Sequence, residues 1–218
     1  LQNGLAILDQ DSRRSDIGNT EGESVLGYYR GFSDSTSKQY SWSDTFSNSL
    51  DAFAGEKVAM IIGFAKEYDR IKAKNPRLNF DVAPFPQQKG SAVKINYGVT
   101  SGITVSRSSK DPLEAWRFLL YATANPDAVK FYLNATGHPP AYRQYVTADF
   151  LPPYVHIFQS QVLSAKSWLQ PDDKAVSTIF ENMIQSVRGN RGSLSAVATA
   201  AAGQLEGLLK EEVSPKTP

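Results

Sequence analysis

The residues with a chemistry to offer are aromatic. Phe64 follows Gly63 at the end of an apolar run, Tyr97 stands between Asn96 and Gly98, and Tyr40 and Trp42 lie in a polar stretch. Sugars present apolar C–H faces and polar rims, so rings flanked by amide, carboxylate and guanidinium groups suit them. Phe64, Asn96, Tyr97, Gly98 and Trp42 are therefore candidate ligand contacts, with Tyr40 as an alternative to Trp42. The competing reading is that each ring is core. For Trp116 core is the expectation.

No catalytic pattern accompanies these rings. G-x-S-x-G, H-E-x-x-H, the phosphate-binding loop and G-x-G-x-x-G do not occur. His138 and His156 stand apart and there is no cysteine, so no metal site and no cofactor is assigned. Asp172-Asp173 sits at a helix start, where carboxylates meet free amides and the positive end of the helix dipole. Asn190-Arg191-Gly192 reads as a helix connector before it reads as an anion loop. A carbohydrate-active enzyme would need two carboxylates ~5–10 Å apart, and no such pair is evident.

These residues must be positioned by the elements around them. Phe46, Leu50 and Phe53 recur at helical spacing, so a helix capped by Asp44 is expected to run to Ala54, with Gly55 as its left-handed end. Val58 to Ile62 is a β-branched apolar run that reads as a buried strand. Phe64 then falls at the carboxyl end of that strand, where open α/β sheets meet their ligands. Further strands are expected at Asn79–Pro84, Val93–Thr100 and Ile103–Val105, with a short one at Leu5–Leu8. Helices are expected at Glu21–Phe32, behind a Thr20–Glu23 capping box, and at Ala65–Lys74 with Tyr68 and Ile71 inward. Another begins at Asp111-Pro112 and buries Leu113, Trp116 and Leu120. The rest run from Asn125-Pro126 to Gly137, over Pro153–Ser164, after Asp172, and over Ser193–Leu209. A helical turn is expected within Ala141–Phe150, and the tail after Leu209 is expected to fray. Strands confined to the middle of the chain cannot make a full doubly wound sheet. Either the chain is α+β, or strands from elsewhere complete the sheet.

With 218 residues, 41% hydrophobic and 21% charged, the chain can bury one large core or two smaller ones. A net charge of +1 with no basic cluster gives no footprint for nucleic acid. No apolar run approaches the roughly 20 residues needed to span a bilayer. Leu1 is not a start methionine and no signal peptide is visible, so the chain reads as a processed or truncated product.

Leu50 to Gly63 resembles the "F-x-x-G-K-x-A-M-x-x-x-G" signature of bacterial extracellular solute-binding proteins of ABC importers. The group meant is family 1, the sugar-binding one that includes maltose-binding protein. Three later segments agree with it in order and spacing. Asn79 to Pro86 is similar to the family's "φ-x-V-A-P-φ-P" strand, and Gly102 to Leu120 to its "A-I-x-x-x-S-K-x-P-E-x-A-W-x-F-L" segment. Ala135 to Ala141 is similar to its "T-G-x-x-P-x-R" loop. Together they cover Tyr28 to Arg143, and the terminal helix pair fits more loosely.

The resemblance implies an α/β fold of the periplasmic-binding-protein-like type II clamshell. This chain would be its helix-rich second lobe plus part of the first, with roughly the first half of a full-length protein outside it. Residues 1–57 would begin the second lobe, 58–105 would cross the hinge into a partial first lobe, and 106–218 would return to the second. Gly63-Phe64 matches a loop where relatives carry a stacking aromatic. Asn96-Tyr97-Gly98 matches a segment that commonly reads "G-G-W", here without its tryptophan. The resemblance adds Arg143, after the Pro-Pro loop, and Phe180, on a helix that bears another stacking ring in relatives. Where relatives carry Arg or Ile after Thr-Gly, this chain has His138.

The function implied is noncatalytic binding of a solute, an oligosaccharide first, with hinge closure and delivery to the membrane subunits of an ABC permease. The protein would be an extracellular or periplasmic monomer, with a lipid anchor open to the full-length form. The alternatives are the same family with a peptide, polyamine or phosphorylated polyol as cargo, a carbohydrate-active enzyme fragment, or a fragment that binds nothing.

Overall fold

The computed structural model describes residues 1–9, 11, 13–147, 149 and 151–213. They group into two compact units, Leu1–Phe46 with Lys166–Pro218, and Ser47–Ala165.

The first unit is helical. Its helices are α1 (Thr20–Gly31), α7 (Asp173–Arg188) and α8 (Leu194–Val213), with a short 3-10 turn at Asp16–Gly18 ahead of α1. α1 is capped by Asn19, whose side chain accepts the Gly22 amide at 2.8 Å, so the cap falls one residue before the Thr20 expected. α7 has the expected cap: the Asp172 carboxylate accepts the Ala175 amide at 2.9 Å. Val176, Ile179, Met183 and Val187 recur at helical spacing and all are buried. They meet Leu26 of α1 and Ala198, Ala201, Leu205 and Leu209 of α8 in one continuous core. The small alanines let α8 approach closely, and Leu205 is fully enclosed.

The second unit holds α2 (Ser49–Ala54), α3 (Glu67–Lys74), α4 (Pro112–Ala124), α5 (Pro126–Thr136) and α6 (Pro153–Val162). A 3-10 turn at Arg143–Tyr145 lies within the helical turn expected over Ala141–Phe150, of which Ala148 and Phe150 fall outside the described residues. So does the tail from Ser214 on, whereas Lys210–Val213, expected to fray, continue α8. α4 starts at an Asp111 cap followed by Pro112, α5 at an Asn125 cap followed by Pro126, as the sequence suggests. α5 ends at Gly137 with a φ of 63°, the left-handed residue that glycine tolerates best. Val129, Leu133, Leu151 and Val155 form the buried centre between α5 and α6. Phe53, Phe80, Tyr68 and Tyr154 make a second cluster in which the last two rings stack at 3.6 Å and 6°.

Several expectations fail here. α2 begins at Ser49 behind an Asn48 cap, not at Asp44; Asp44 instead pairs with Arg188 at 2.5 Å in the first unit, and Phe46 is exposed. The left-handed residue after α2 is Glu56, with a φ of 58°, whereas Gly55 has a φ of −87°. The Lys57 amide reaches the Ala52 carbonyl at 2.8 Å and the Glu56 amide the Phe53 carbonyl at 3.0 Å. That is the paired closure of a helix whose left-handed site lies one residue later than glycine's presence implied.

The strands fail most. Val58–Ile62, Asn79–Pro84, Ile103–Val105 and Leu5–Leu8 belong to no sheet among the described residues, and of Val93–Thr100 only Asn96–Tyr97 does. That pair, β1 (Asn96–Tyr97), joins β2 (Ala165–Lys166) in a two-stranded ribbon. A strand exists only where a neighbour satisfies its amides and carbonyls. The apolar run has none here, and Met60 is 85% exposed where burial was expected. Trp116 is likewise 52% exposed, with Leu113 and Leu120 also outward; on α4 it is Leu119 that is buried.

Candidate aromatic binding platform

Phe64 lies between the irregular run and α3, just before the turn in which the Glu67 amide meets the Phe64 carbonyl at 2.9 Å. Its ring faces that of Tyr97, with centroids 6.1 Å apart and planes 60° apart. Both rings are partly exposed, Phe64 at 45% and Tyr97 at 42%. Two of the residues singled out, 33 positions apart in sequence, thus form one apolar surface within the second unit. The tilt leaves an open angle in which a flat C–H face can meet one ring while a polar edge stays in solvent.

The residues flanking Tyr97 have other duties. Asn96 is only 9% exposed. Its Oδ1 accepts from Gln87 Nε2 at 2.9 Å, its Nδ2 donates to Ser164 Oγ at 2.6 Å, and its backbone amide donates to the Ser164 carbonyl at 3.0 Å. Gln87 also donates to the Phe85 carbonyl at 3.0 Å and accepts the Ile95 amide at 2.9 Å. Gly98 passes so close to β2 that a Cβ there would lie 2.8 Å from the Ala165 Cβ. Gln87 and Ser164 were not singled out from sequence. The only local signal was glutamine in a proline-rich turn, which names neither its partner Asn96, nine residues on, nor the Ser164 that Asn96 meets 68 residues further.

The remaining candidates lie elsewhere. Arg143 is exposed in the 3-10 turn of the second unit. Trp42 belongs to the first unit, where its ring lies 5.2 Å from that of Phe46 at a 35° tilt. Phe180, also in the first unit, is half-buried against Trp168 at 5.9 Å on the edge of the core. His138 Nδ1 lies 3.5 Å from the Tyr132 hydroxyl. Asn190 accepts from Arg30 at 2.7 Å, so the Asn190–Gly192 connector is tied to α1.

One titratable group near these elements is clearly displaced. Burial raises the Tyr154 phenol above its ordinary range, aided by the Asp69 carboxylate, by Tyr68 and by a long hydroxyl contact to Asp69 at 3.5 Å. It belongs to the packing of α3 on α6.

The chain belongs to the bacterial extracellular solute-binding proteins, whose family model matches residues 1–159. A solved ABC transporter solute-binding protein from Thermotoga lettingae TMO, bound with alpha-D-tagatose, shares the fold with a TM-score of 0.67 at 18% identity. The alignment covers 95% of this chain and 54% of that one, so the chain spans about half the length of that structure. No curated protein sequence gives a significant match. The fold is thus part of an α/β periplasmic-binding-protein architecture.

Proposed function

We propose that this chain is the ligand-contacting, helix-rich part of a noncatalytic sugar-binding protein that serves an ABC importer. The observation that carries the reading is the half-exposed Phe64–Tyr97 ring pair, an apolar surface at the carboxyl side of the run that the family signature marks. Family membership supports solute binding, and the tagatose bound to the Thermotoga lettingae protein favours a sugar as cargo. Arg143 would add a guanidinium to the polar rim. Trp42 and Phe180, both carried by the first unit, remain candidate apolar contacts in their own right, Phe180 only through its exposed edge.

In this reading the resemblance assigns residues 1–57 with 106–218 to one lobe and 58–105 to part of the other, while 58–105 packs with α2 to α6 in the compact unit Ser47–Ala165. Val58–Ile62 runs irregular and exposed, and among the described residues no strand pairs with it, which is the course expected of a strand in a partial lobe. Ligand closes the lobes, and the closed monomer, extracellular or periplasmic, docks on the permease.

Calorimetry on the full-length protein with maltose, maltotriose and D-tagatose tests the proposal. Phe64→Ala and Tyr97→Ala should each weaken the sugar that binds by about tenfold, the scale of one lost stacking contact with its area. Unchanged affinity in both variants would reject the platform.

A further inference from the structure

The geometry points to Gln87, Asn96, Ser164 and Gly98 as positioning residues that hold the Tyr97 ring against Phe64. The inference rests on the ring pair being the ligand platform, and it moves Asn96 and Gly98 from the ligand to its support.

The hydrogen bonds run in one direction. Gln87 donates to Asn96, Asn96 donates to Ser164, and the Ser164 hydroxyl donates to the Gln161 carbonyl of α6 at 3.0 Å. Aligned donors polarise one another, so such a relay is stiffer than its separate links. The other end of the same loop is fixed too: the Phe85 amide donates to Gln161 Oε1 at 2.9 Å. Residues 85 to 96 are thus riveted to the C-terminal turn of α6 at both ends, although they form almost no regular structure.

The rivet fixes a direction as well as a place. Successive side chains of a strand point to opposite faces. With the Asn96 side chain held inward by two partners, the Tyr97 side chain must point outward, and the two differ accordingly, 9% against 42% exposed. Gly98 completes the arrangement on the far side of Tyr97. Only a residue without a Cβ lets the backbone press on Ala165 this closely. A free asparagine amide would offer a ligand two donors and an acceptor, whereas Asn96 already spends one of each on the protein.

The test uses the full-length protein with labelled phenylalanine and tyrosine. In the ligand-free wild type, a nuclear Overhauser contact should join the Phe64 and Tyr97 rings. Gln87→Glu, which keeps the shape but removes both Nε2 donors, and Ser164→Ala should weaken that contact at least severalfold while the helical circular dichroism stays. Ser164→Thr, which restores the hydroxyl, should recover it. Affinity for maltose or D-tagatose, whichever binds, should fall about fivefold in the first two variants and recover in the third. An undiminished ring contact in Gln87→Glu and Ser164→Ala overturns the positioning role. If the ring contact responds as stated but Phe64→Ala binds sugar like wild type, the platform reading fails and the positioning of Tyr97 stands.

Discussion

At the scale of single residues, two positions carry conformations or charges that their side chains do not favour. Glu56 takes the left-handed φ that ends α2. A Cβ in that region costs roughly 1–2 kcal/mol, while glycine there gives back ~0.5–1 kcal/mol of chain entropy. Glu56→Gly should therefore stabilise the protein by about 0.5–1 kcal/mol in denaturant unfolding. Tyr154 is the second case. Its phenol ionises at higher pH in the folded chain than in the unfolded one, so the unfolded chain loses its proton first. The stability this gives is complete below the ordinary phenolic value near 10.0 and is lost as pH rises through the higher folded value. Unfolding midpoints followed upward from neutral pH should decline in this range, and Tyr154→Phe should flatten the decline.

At the scale of elements, stability divides between the units. Leu205 on α8 is fully buried among Leu26, Val176 and Val187, so Leu205→Ala should cost about 3 kcal/mol in the unfolding of the first unit. The Asp172 cap of α7 is worth less, about 1 kcal/mol on Asp172→Ala, because it satisfies one exposed amide. Helices were readable from sequence because their determinants are local. Caps at Asp111, Asn125 and Asp172 and the stop at Gly137 lie within four residues of what they act on. Strands were not, because pairing is a property of two distant segments. Asn96 finds Ser164, 68 residues on, through a side-chain bond that no local pattern announces. The same limit explains Trp116: helical spacing shows that α4 has an apolar face, not what covers it.

At the scale of the whole chain, the candidate site was half legible. The ring pair Phe64 and Tyr97 was visible as aromatics beside glycine, and the structure brings the two together. Asn96 and Gly98 looked the same in sequence, yet one is buried in a polar relay and the other is packed against Ala165. The second unit also leaves large apolar side chains outward, among them Ile62, Ile103, Phe118 and Phe131.

The chain has only two methionines, and their surroundings are opposite: Met60 is 85% exposed and Met183 9%. A thioether in water is oxidised to the sulfoxide by dilute peroxide, and one shielded by packed side chains is not. Each molecule therefore carries a chemical reporter and its own internal reference. In this chain the peptide bearing Met60 should gain one oxygen quickly while that bearing Met183 stays unmodified. Any polypeptide that lays itself over the Val58–Ile62 run should silence the first signal without touching the second, so peptide mass spectrometry alone can tell when that run has been covered.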